Sequence, residues 1–322
     1  MHSVETVRGP VAVERLGVTL MHEHVFVLNE EYRQSDPGWD EAGQVAAAIA
    51  MLRALGARGV GTIVDPTVFG LGRSIPRVQR VAAAVDLHVI VATGIYTYDE
   101  VPFFFRHRPA RDGRDPMTTL FVRELIEGIG ATGVKAAFLK CAIDRPGLTA
   151  GVERILRACA AAHRETGAPI TVHTDAATRT GTIVQRVLRE EGVDLTQVVI
   201  GHSGDTTDLD YLTGLMDAGS YAGMDRFGLD SLLPFEQRVD TVAALCRRGY
   251  ASRLVLSHDA ACHIDWFAPG VRERVLPRWH FAHIHDEVLP ALRERGVDDE
   301  QIATMLVANP RAYFTMPSTR RR

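Results

Sequence analysis

The sequence predicts a single (β/α)8 barrel, the TIM-barrel architecture of the α/β class, and three observations lead to that prediction. Eight short apolar runs alternate with longer segments whose apolar residues recur at helical spacing. The chain of 322 residues is long enough for one barrel of this kind. No G-x-G-x-x-G follows the first run, which argues against a doubly wound open sheet. No linker or repeat interrupts the pattern, so we predict one domain over residues 1–322.

The predicted strands are distributed along most of the chain. They span residues 17–25, 59–67, 87–94, 134–141, 169–174, 197–203, 220–226 and 253–259. The clearest helical segments between them are 40–59, 151–167 and 180–192, and each ends at a Gly that can stop a helix. We expect the first nineteen residues to cover the bottom of the barrel and residues 271–314 to be helical.

The composition excludes several classes of function. A formal net charge of -4 and a pI near 6.4 give no general attraction to nucleic acid or anionic membranes. No apolar run approaches the roughly 18 residues that cross a bilayer, and the N-terminus lacks an export-signal pattern. We therefore expect a cytoplasmic protein with a small-molecule substrate, no nucleic-acid partner and no membrane partner. The basic end, TRRR, is expected to be a solvated tail.

The cysteines support the same compartment. Cys141, Cys159, Cys246 and Cys262 are widely spaced, and no C-x-x-C occurs. This pattern indicates reduced thiols rather than a disulfide framework or a zinc knuckle.

Two histidines stand two positions apart in the first predicted strand, in the stretch TLMHEHVF. Because strand side chains alternate, His22 and His24 should project from one face and Glu23 from the other. A second pair, His283 and His285, lies in a helical pattern, where positions i and i+2 do not face each other. We expect that pair to serve packing or the surface, so an H-x-H pair alone does not establish a metal site.

Four further residues that can bind a metal stand at the ends of other predicted strands. They are Lys140, His173, His202 and Asp259, on predicted strands four, five, six and eight. The C-terminal strand ends of a barrel converge on one mouth, where active sites lie. Imidazole and carboxylate groups suit divalent transition metals. The sequence therefore predicts a metal centre formed by these four residues and the two histidines of the first strand.

Lys140 is the unusual member of this set because it ends an apolar run, AAFL. An unpaired ammonium is costly to bury, so its side chain either reaches the rim or has another role. A lysine whose pKa is lowered by burial has a neutral amine that can react with carbon dioxide. The resulting carbamate can bridge two metal ions.

Seven motifs, in order along the chain, resemble a known family. LMHEHVF, GIYTYDEVPFFF, FLKCAID, VHTDA, IGHSGDT, GMDRFG and LSHDAACHIDWF are similar to the phosphotriesterase-like lactonases of the binuclear amidohydrolase superfamily. The resemblance covers essentially the whole chain. It implies two divalent metal ions, with zinc as the first choice and cobalt, iron or manganese as alternatives. It also implies a homodimer.

The resemblance assigns roles to the predicted ligands. The buried ion would be held by His22, His24 and Asp259, and the exposed ion by His173 and His202. The N6-carboxylated side chain of Lys140 and a hydroxide would bridge them. Asp259 would also accept the proton of the attacking hydroxide.

Further residues match positions near the substrate. Tyr96 matches a tyrosine beside the bridging hydroxide, with Tyr98 as the alternative, and Arg226 matches an arginine that gates or contacts the substrate. Trp266 falls in the loop that lines the acyl-chain channel in relatives, or it closes that loop over the core. The small residues Ala260 and Ala261 replace a larger residue or cysteine expected near there, and this leaves the width of the acyl pocket open.

The implied activity is hydrolysis of N-acyl-homoserine lactones, as in quorum quenching, and of other γ- and δ-lactones by attack of the metal-bridging hydroxide. Slower hydrolysis of organophosphate triesters such as paraoxon would accompany it. The main alternative is a dedicated phosphotriesterase, an aryldialkylphosphatase. The short connection from Arg226 to a helix near Pro234 favours the lactonases, whose relatives lack a longer loop there. Two further alternatives are an amidohydrolase that acts on cyclic amides or nucleobases and an inactive barrel that serves as a scaffold. Lys140 argues against the first, and the complete set of ligands argues against the second.

Overall fold

The protein is described by a computed structural model that covers residues 2–97, 99–108 and 113–315. Within these residues the strands are β1 (Ser3–Thr6), β2 (Gly9–Ala12), β3 (Val18–Leu20), β4 (His24–Val27), β5 (Val60–Asp65), β6 (His88–Gly94), β7 (Phe138–Ile143), β8 (Ile170–Thr174), β9 (Val198–Gly201), β10 (Tyr221–Met224), β11 (Leu254–Leu256) and β12 (Ala261–Ile264). Strands β3 and β5 to β11 form one sheet in sequence order, and every neighbouring pair is parallel.

The sheet closes on itself where β3 and β11 meet. The backbone N–H of Met21 donates to the carbonyl of Leu256 over 3.3 Å, and that of Asp259 donates to the carbonyl of His22 over 3.0 Å. The predicted (β/α)8 barrel is therefore confirmed.

Helices follow most of the barrel strands. They are α1 (Glu30–Ser35), α2 (Glu41–Gly56), α3 (Ile75–Ala82), α4 (Phe103–Arg106), α5 (Pro116–Ile126), α6 (Ala150–Thr166), α7 (Thr180–Glu190), α8 (Leu209–Asp217), α9 (Phe235–Arg247), α10 (Val271–Val275), α11 (Leu289–Glu294), α12 (Asp299–Ala303) and α13 (Asn309–Phe314). The helices α2, α6 and α7 match the three clearest predicted segments. Residues 284–288 and 304–308 are π-helical turns that lead into α11 and α13.

Side chains on the barrel strands alternate between two buried regions. Along β6, Val89 and Val91 pack against the helices, whereas Ile90 and Ala92 face the barrel interior. Both faces are buried, which explains why these strands are continuous apolar runs rather than alternating ones. The four cysteines are buried free thiols.

The N-terminal hairpin covers the bottom of the barrel, as expected. Strands β1 and β2 pair antiparallel, and the N–H of Val7 donates to the carbonyl of Val89 near the start of β6. Val4 and Leu16 pack in the interior cluster with Tyr313 of α13. The predicted ligands therefore lie at the other end of the barrel, where the strands reach their C-terminal ends.

The structure corrects several predicted strand boundaries. The first predicted strand, 17–25, is interrupted at residues 21–23, and β4 pairs in parallel with β12 instead of continuing the barrel. Side-chain bonds interrupt the regular backbone ladder there, since the N–H of His22 donates to Ser257 Oγ over 2.8 Å. The predicted sixth and eighth strands end early, so that His202 (φ 63°) and Asp259 (φ 56°) take left-handed backbone conformations just after β9 and β11.

Within the residues that the structure describes, no helix is long and apolar enough to cross a membrane. The cytoplasmic location stays a prediction. The basic C-terminal tail lies outside the described residues.

Candidate metal centre

The two histidines of the first predicted strand meet Asp259 at the barrel mouth. Asp259 Oδ1 lies 3.3 Å from Nε2 of His22 and 3.2 Å from Nε2 of His24. Glu23, between them in sequence, contacts residues 257–260 instead. The interrupted strand therefore still presents both imidazoles on one side, as the alternation predicted.

Lys140 and His173 reach the same cavity from the inside of β7 and β8. Phe138 faces the barrel interior, and Lys140, two residues later, shares that face. Its Nζ lies 3.3 Å from Nε2 of His22. The β6 strand passes so close to Lys140 that a Cβ atom on Gly94 (φ 143°) would collide with the lysine carbonyl.

His202 completes the cluster from the turn after β9. Its ring centroid lies 4.5 Å from that of His173 and 4.9 Å from that of His22. Its Nε2 is 3.9 Å from Asp259 Oδ2. The structure thus brings together all six residues that the sequence singled out as ligands.

A second ring of oxygen atoms holds the far nitrogen of each imidazole. Asp225 accepts from both His202 Nδ1 (3.0 Å) and His22 Nδ1 (3.2 Å). Thr67 Oγ1 is 2.7 Å from His24 Nδ1, and Asp144 lies 3.4 Å from His173 Nε2.

These outer contacts direct Nε2 of His22, His24 and His202 toward the cavity, where each lies within 3.9 Å of Asp259. Carboxylate or hydroxyl partners of this kind fix the tautomer and orientation of metal-binding imidazoles. Among the described residues, His22, His24 and Asp259 have ligand atoms close enough together to hold an ion in the cavity. The similar group of His22, His202 and Asp225 reflects the outer contacts of Asp225. The donor set fits divalent transition metals.

Burial sets the protonation of most of the cluster. It lowers the pKa of Lys140 to about 8 and that of His173 to about 4. Burial also lowers the pKa of His22 and His202 below the usual range, which favours the neutral imidazoles that bind metal. At His24 burial acts in the same direction, but the nearby carboxylates of Asp259 and Asp65 prevail and raise the pKa to about 9.

Lys140 is fully enclosed, and this rules out a side chain that extends to the rim. Only 1% of the residue is exposed. Only two of the 36 Lys and Arg residues are lysines, Lys135 and Lys140, and all the others are arginines. A buried amine of lowered pKa is therefore found at the one lysine that faces the metal cavity.

Arg226 follows β10 and is held in place by two carboxylates. Its Nε donates to Asp259 Oδ2 over 2.9 Å, and its Nη1 donates to Asp205 Oδ2 over 2.9 Å. Arg238 of α9 is buried and lies 2.7 Å from the other oxygen of Asp205. The guanidinium of Arg226 is thereby fixed at the cavity wall, where it can contact a substrate and orient Asp259.

Tyr96 and Trp266 also line the cavity, which has a volume of about 80 Å³ and opens to solvent. Tyr96 is half-buried, and its ring packs edge-on against His173 at 5.1 Å. Trp266 lies after β12 with 63% of its surface exposed, so it lines the cavity rather than closing the loop over the core. Tyr98, the alternative tyrosine, lies outside the described residues.

The second H-x-H pair is separate from this site, as expected. His283 begins the helical segment that leads into α11, is fully buried and bonds Glu287 at 3.1 Å. His285 is partly buried beside it. Packing is therefore the better of the two roles expected for this pair.

Sequence reasoning missed the oxygen atoms that orient the ligands, and it missed Trp279, which lines the cavity. Asp225 stands beside Arg226 in the motif GMDRFG and directly follows a buried strand. A carboxylate at the end of a barrel strand was a usable signal. Asp144 occupies the matching place after β7, where the same signal applies.

Comparisons with known proteins agree over nearly the full chain. The model of the phosphotriesterase family matches residues 2–314. A "Phosphotriesterase homology protein" of Mycobacterium tuberculosis is 56% identical over 319 residues, covering 98% of each chain. An "Aryldialkylphosphatase" of Saccharolobus solfataricus is 41% identical over 303 residues, 93% of this chain and 95% of its own. The solved structure of the phosphotriesterase from M. tuberculosis matches with a TM-score of 0.95 and 55% identity over 98% of both chains.

Proposed function

Because this chain belongs to the phosphotriesterase family, we propose that it is a metal-dependent hydrolase whose main substrates are lactones. N-acyl-homoserine lactones and other γ- and δ-lactones are the substrate class, and organophosphate triesters such as paraoxon are slower substrates. The observation that carries the hydrolytic chemistry is the convergence of four imidazoles, one carboxylate and one buried amine on a single cavity.

Two divalent ions fit this set of donors. His22, His24 and Asp259 would hold the inner ion, and His173 and His202 the outer one. Lys140, as an N6-carbamate, would bridge both, and its enclosed position with a lowered pKa supports that modification. Zinc is the first choice, with cobalt, iron or manganese as alternatives.

The chain's own residues orient the reaction. When bound, the metal pair would polarise the carbonyl and supply hydroxide near neutral pH. Asp259 accepts the proton of the attacking hydroxide and returns it to the leaving alkoxide. Arg226 fixes the orientation of that carboxylate through its bond to Oδ2. Tyr96 is placed to donate a hydrogen bond to the ring oxygen or carbonyl of the lactone.

The form of the cavity favours a substrate with one apolar chain. Its apolar wall comes from one side of the barrel mouth, near β4, β5 and β12. The residues of this wall are Val27, Leu71, Ala261, Ile264, Trp266 and Trp279. Tyr96 and Arg226 provide the polar wall. An acyl-homoserine lactone has this division into a polar ring and an apolar tail, whereas a phosphate triester presents three substituents.

The connection between β10 and α9 also supports the lactone proposal. It comprises only residues 225–234, as the sequence predicted, and the resemblance associates a short connection here with lactonases. A dedicated phosphotriesterase is the second candidate, favoured by the name of the 41% identical relative from S. solfataricus.

The test is a comparison of kcat/KM values for a long-chain homoserine lactone, a simple δ-lactone and paraoxon. The Asp259→Asn variant controls for contaminating esterases, since it removes the proton acceptor. Lactone values far above the paraoxon value support the proposal. A dominant paraoxon value would instead favour the second candidate.

We propose that the protein acts as a homodimer. Large aromatic side chains are exposed on one short segment, with Phe103 72% and Phe104 54% exposed. Apolar side chains concentrated in this way are typical of interaction surfaces. The mass in solution at several concentrations, compared with a Phe103→Ser/Phe104→Ser variant, tests the proposal; a monomer at every concentration would contradict it.

A further inference from the structure

Glu23 is a fully buried acid that lies between two predicted ligands but points away from the cavity. Its exposed fraction is 0%. Burying a carboxylate is costly unless hydrogen bonds satisfy it. Neither packing nor the chemistry proposed above requires an acid at this position.

The carboxylate accepts four hydrogen bonds from one short segment, residues 257–260. Oε1 accepts from Ser257 Oγ (2.8 Å), from the backbone N–H of His258 (2.9 Å) and from His258 Nδ1 (2.6 Å). Oε2 accepts from the backbone N–H of Ala260 over 3.1 Å. These donors stand on both sides of Asp259.

Asp259 depends on this arrangement for its position. The segment lies between β11 and β12, where two backbone bonds tie it to the first strand: Asp259 N–H donates to the His22 carbonyl over 3.0 Å, and His24 N–H donates to the Ala260 carbonyl over 2.7 Å. The side-chain contacts of Glu23 add to these bonds. Asp259 has a φ of 56°, a left-handed conformation that costs a non-glycine residue free energy. The contacts of Glu23 to the residues on either side offset that cost and hold the carboxylate of Asp259 against His22 and His24.

The imidazole of His258 connects the same contact to the C-terminal helices. Its Nε2 accepts from the backbone N–H of Ile284 over 3.0 Å, so Nδ1 carries the proton that is donated to Glu23. The carbonyl of His258 accepts from Nε1 of Trp279, which lines the cavity. Residues 257–260 are thus held on one side by Glu23 and on the other by the region that leads into the C-terminal helices.

We propose that Glu23 is a positioning residue that clamps residues 257–260 and thereby sets the geometry of the inner metal site. This inference rests on the proposed function because it assigns Glu23 to a site formed by His22, His24 and Asp259. Its role is to act through Asp259 without touching the substrate.

The Glu23→Gln variant tests the clamp with almost no change in volume. The amide nitrogen of the new glutamine cannot accept a hydrogen bond. In either orientation of the amide, this nitrogen would face a donor on residues 257–260 and leave that donor without its acceptor. Glu124→Gln is the matched control. Glu124 is equally buried and bonded, to Arg73 and Thr93, but it lies outside the cavity.

The readouts are Co²⁺ affinity of the metal-free protein, the visible spectrum of the Co²⁺ form and the melting temperature. Both variants should melt at lower temperature. Only Glu23→Gln should lower Co²⁺ affinity, by about 10- to 100-fold as for other outer partners of metal ligands, and alter the spectrum. Unchanged affinity and spectrum in Glu23→Gln would overturn the proposal.

Ser257→Ala is the second variant, in case Glu23→Gln does not fold. It removes one of the four donors to Glu23 and should change the Co²⁺ spectrum in the same direction by a smaller amount. No change in a folded Ser257→Ala protein would also count against the clamp. Failure of the unaltered protein to bind two Co²⁺ ions would instead refute the proposed function, so the two failures are distinguishable.

Discussion

Nζ of Lys140 lies 3.3 Å from Nε2 of His22 inside the barrel mouth, with Lys140 only 1% exposed. A permanent ammonium at this place would face a cluster in which three of four imidazoles are disposed to be neutral. Conversion of the amine to a carbamate would place two oxygen atoms in the same region. The contact places Lys140 among the predicted ligands, as the proposed bridging role requires.

Replacement of Lys140 by alanine should remove the bridge. We expect Lys140→Ala to lose metal affinity by about 100-fold or more, and turnover with it, because both ions share this ligand. Added short carboxylic acids with metal should restore part of the activity, since a carboxylate can occupy the vacated space. Metal analysis and lactone kinetics measure both effects.

The matched control uses the only other lysine. Lys135→Ala should keep metal and activity. A Lys135→Arg protein retains Lys140 as its single lysine, so ¹³C-labelled carbon dioxide should give a lysine carbamate signal from that residue alone. Full metal occupancy of Lys140→Ala without rescue would argue against the carbamate.

Asp259→Asn should lose most turnover while the protein stays folded. Asparagine tolerates the left-handed backbone at this position, but its amide cannot accept the proton from the attacking hydroxide. We expect kcat to fall by about 10²- to 10⁴-fold, the usual contribution of a general base. Circular dichroism and kcat measured on the same sample check the two parts, and wild-type-like rates would exclude the assigned role.

Much of the barrel was predictable because parallel strands buried on both faces appear as separate apolar runs. The strand boundaries at 21–23 and 257–260 were not predictable, because bonds from the side chains of Glu23 and Ser257 interrupt the regular backbone ladder there. A contact between residues more than 230 positions apart leaves no local pattern in the sequence.

The six predicted ligands could be identified from the sequence for a similar reason. Five of them stand on or within three residues after a barrel strand, and His24 begins β4 beside them. Barrel geometry brings those positions together. The residues that orient them were harder to predict. Asp225 carried a usable signal as a carboxylate at a strand end, whereas Thr67 was not distinguishable by type from other polar residues until its distance to His24 was known.

The second histidine pair provides a test of specificity within the chain. His283→Ala should retain metal and keep kcat within about twofold, whereas His22→Ala should lose both. Because His283 is fully buried, its removal should still lower the free energy of unfolding by about 1–3 kcal/mol. Denaturant unfolding and kinetics on both variants separate the effects. A loss of turnover in His283→Ala equal to that in His22→Ala would contradict the assignment.

Trp266 should act on the apolar chain of the substrate. The exposed indole lines the cavity beside Ile264, so an acyl chain would cover it. Trp266→Ala is expected to raise KM for a decanoyl lactone by about tenfold and to change it little for a butanoyl lactone, because only the longer chain buries enough area. Equal effects on both substrates would show that Trp266 does not contact the chain.

The most direct test is titration of the metal-free protein with Zn²⁺ while lactone hydrolysis is followed. The two-ion site predicts that activity rises from zero and becomes constant at two ions per chain, with the lactone cleaved far faster than paraoxon throughout. Activity that is unaffected by chelation, or that is complete at one ion per chain, would contradict a bridged pair at the barrel mouth.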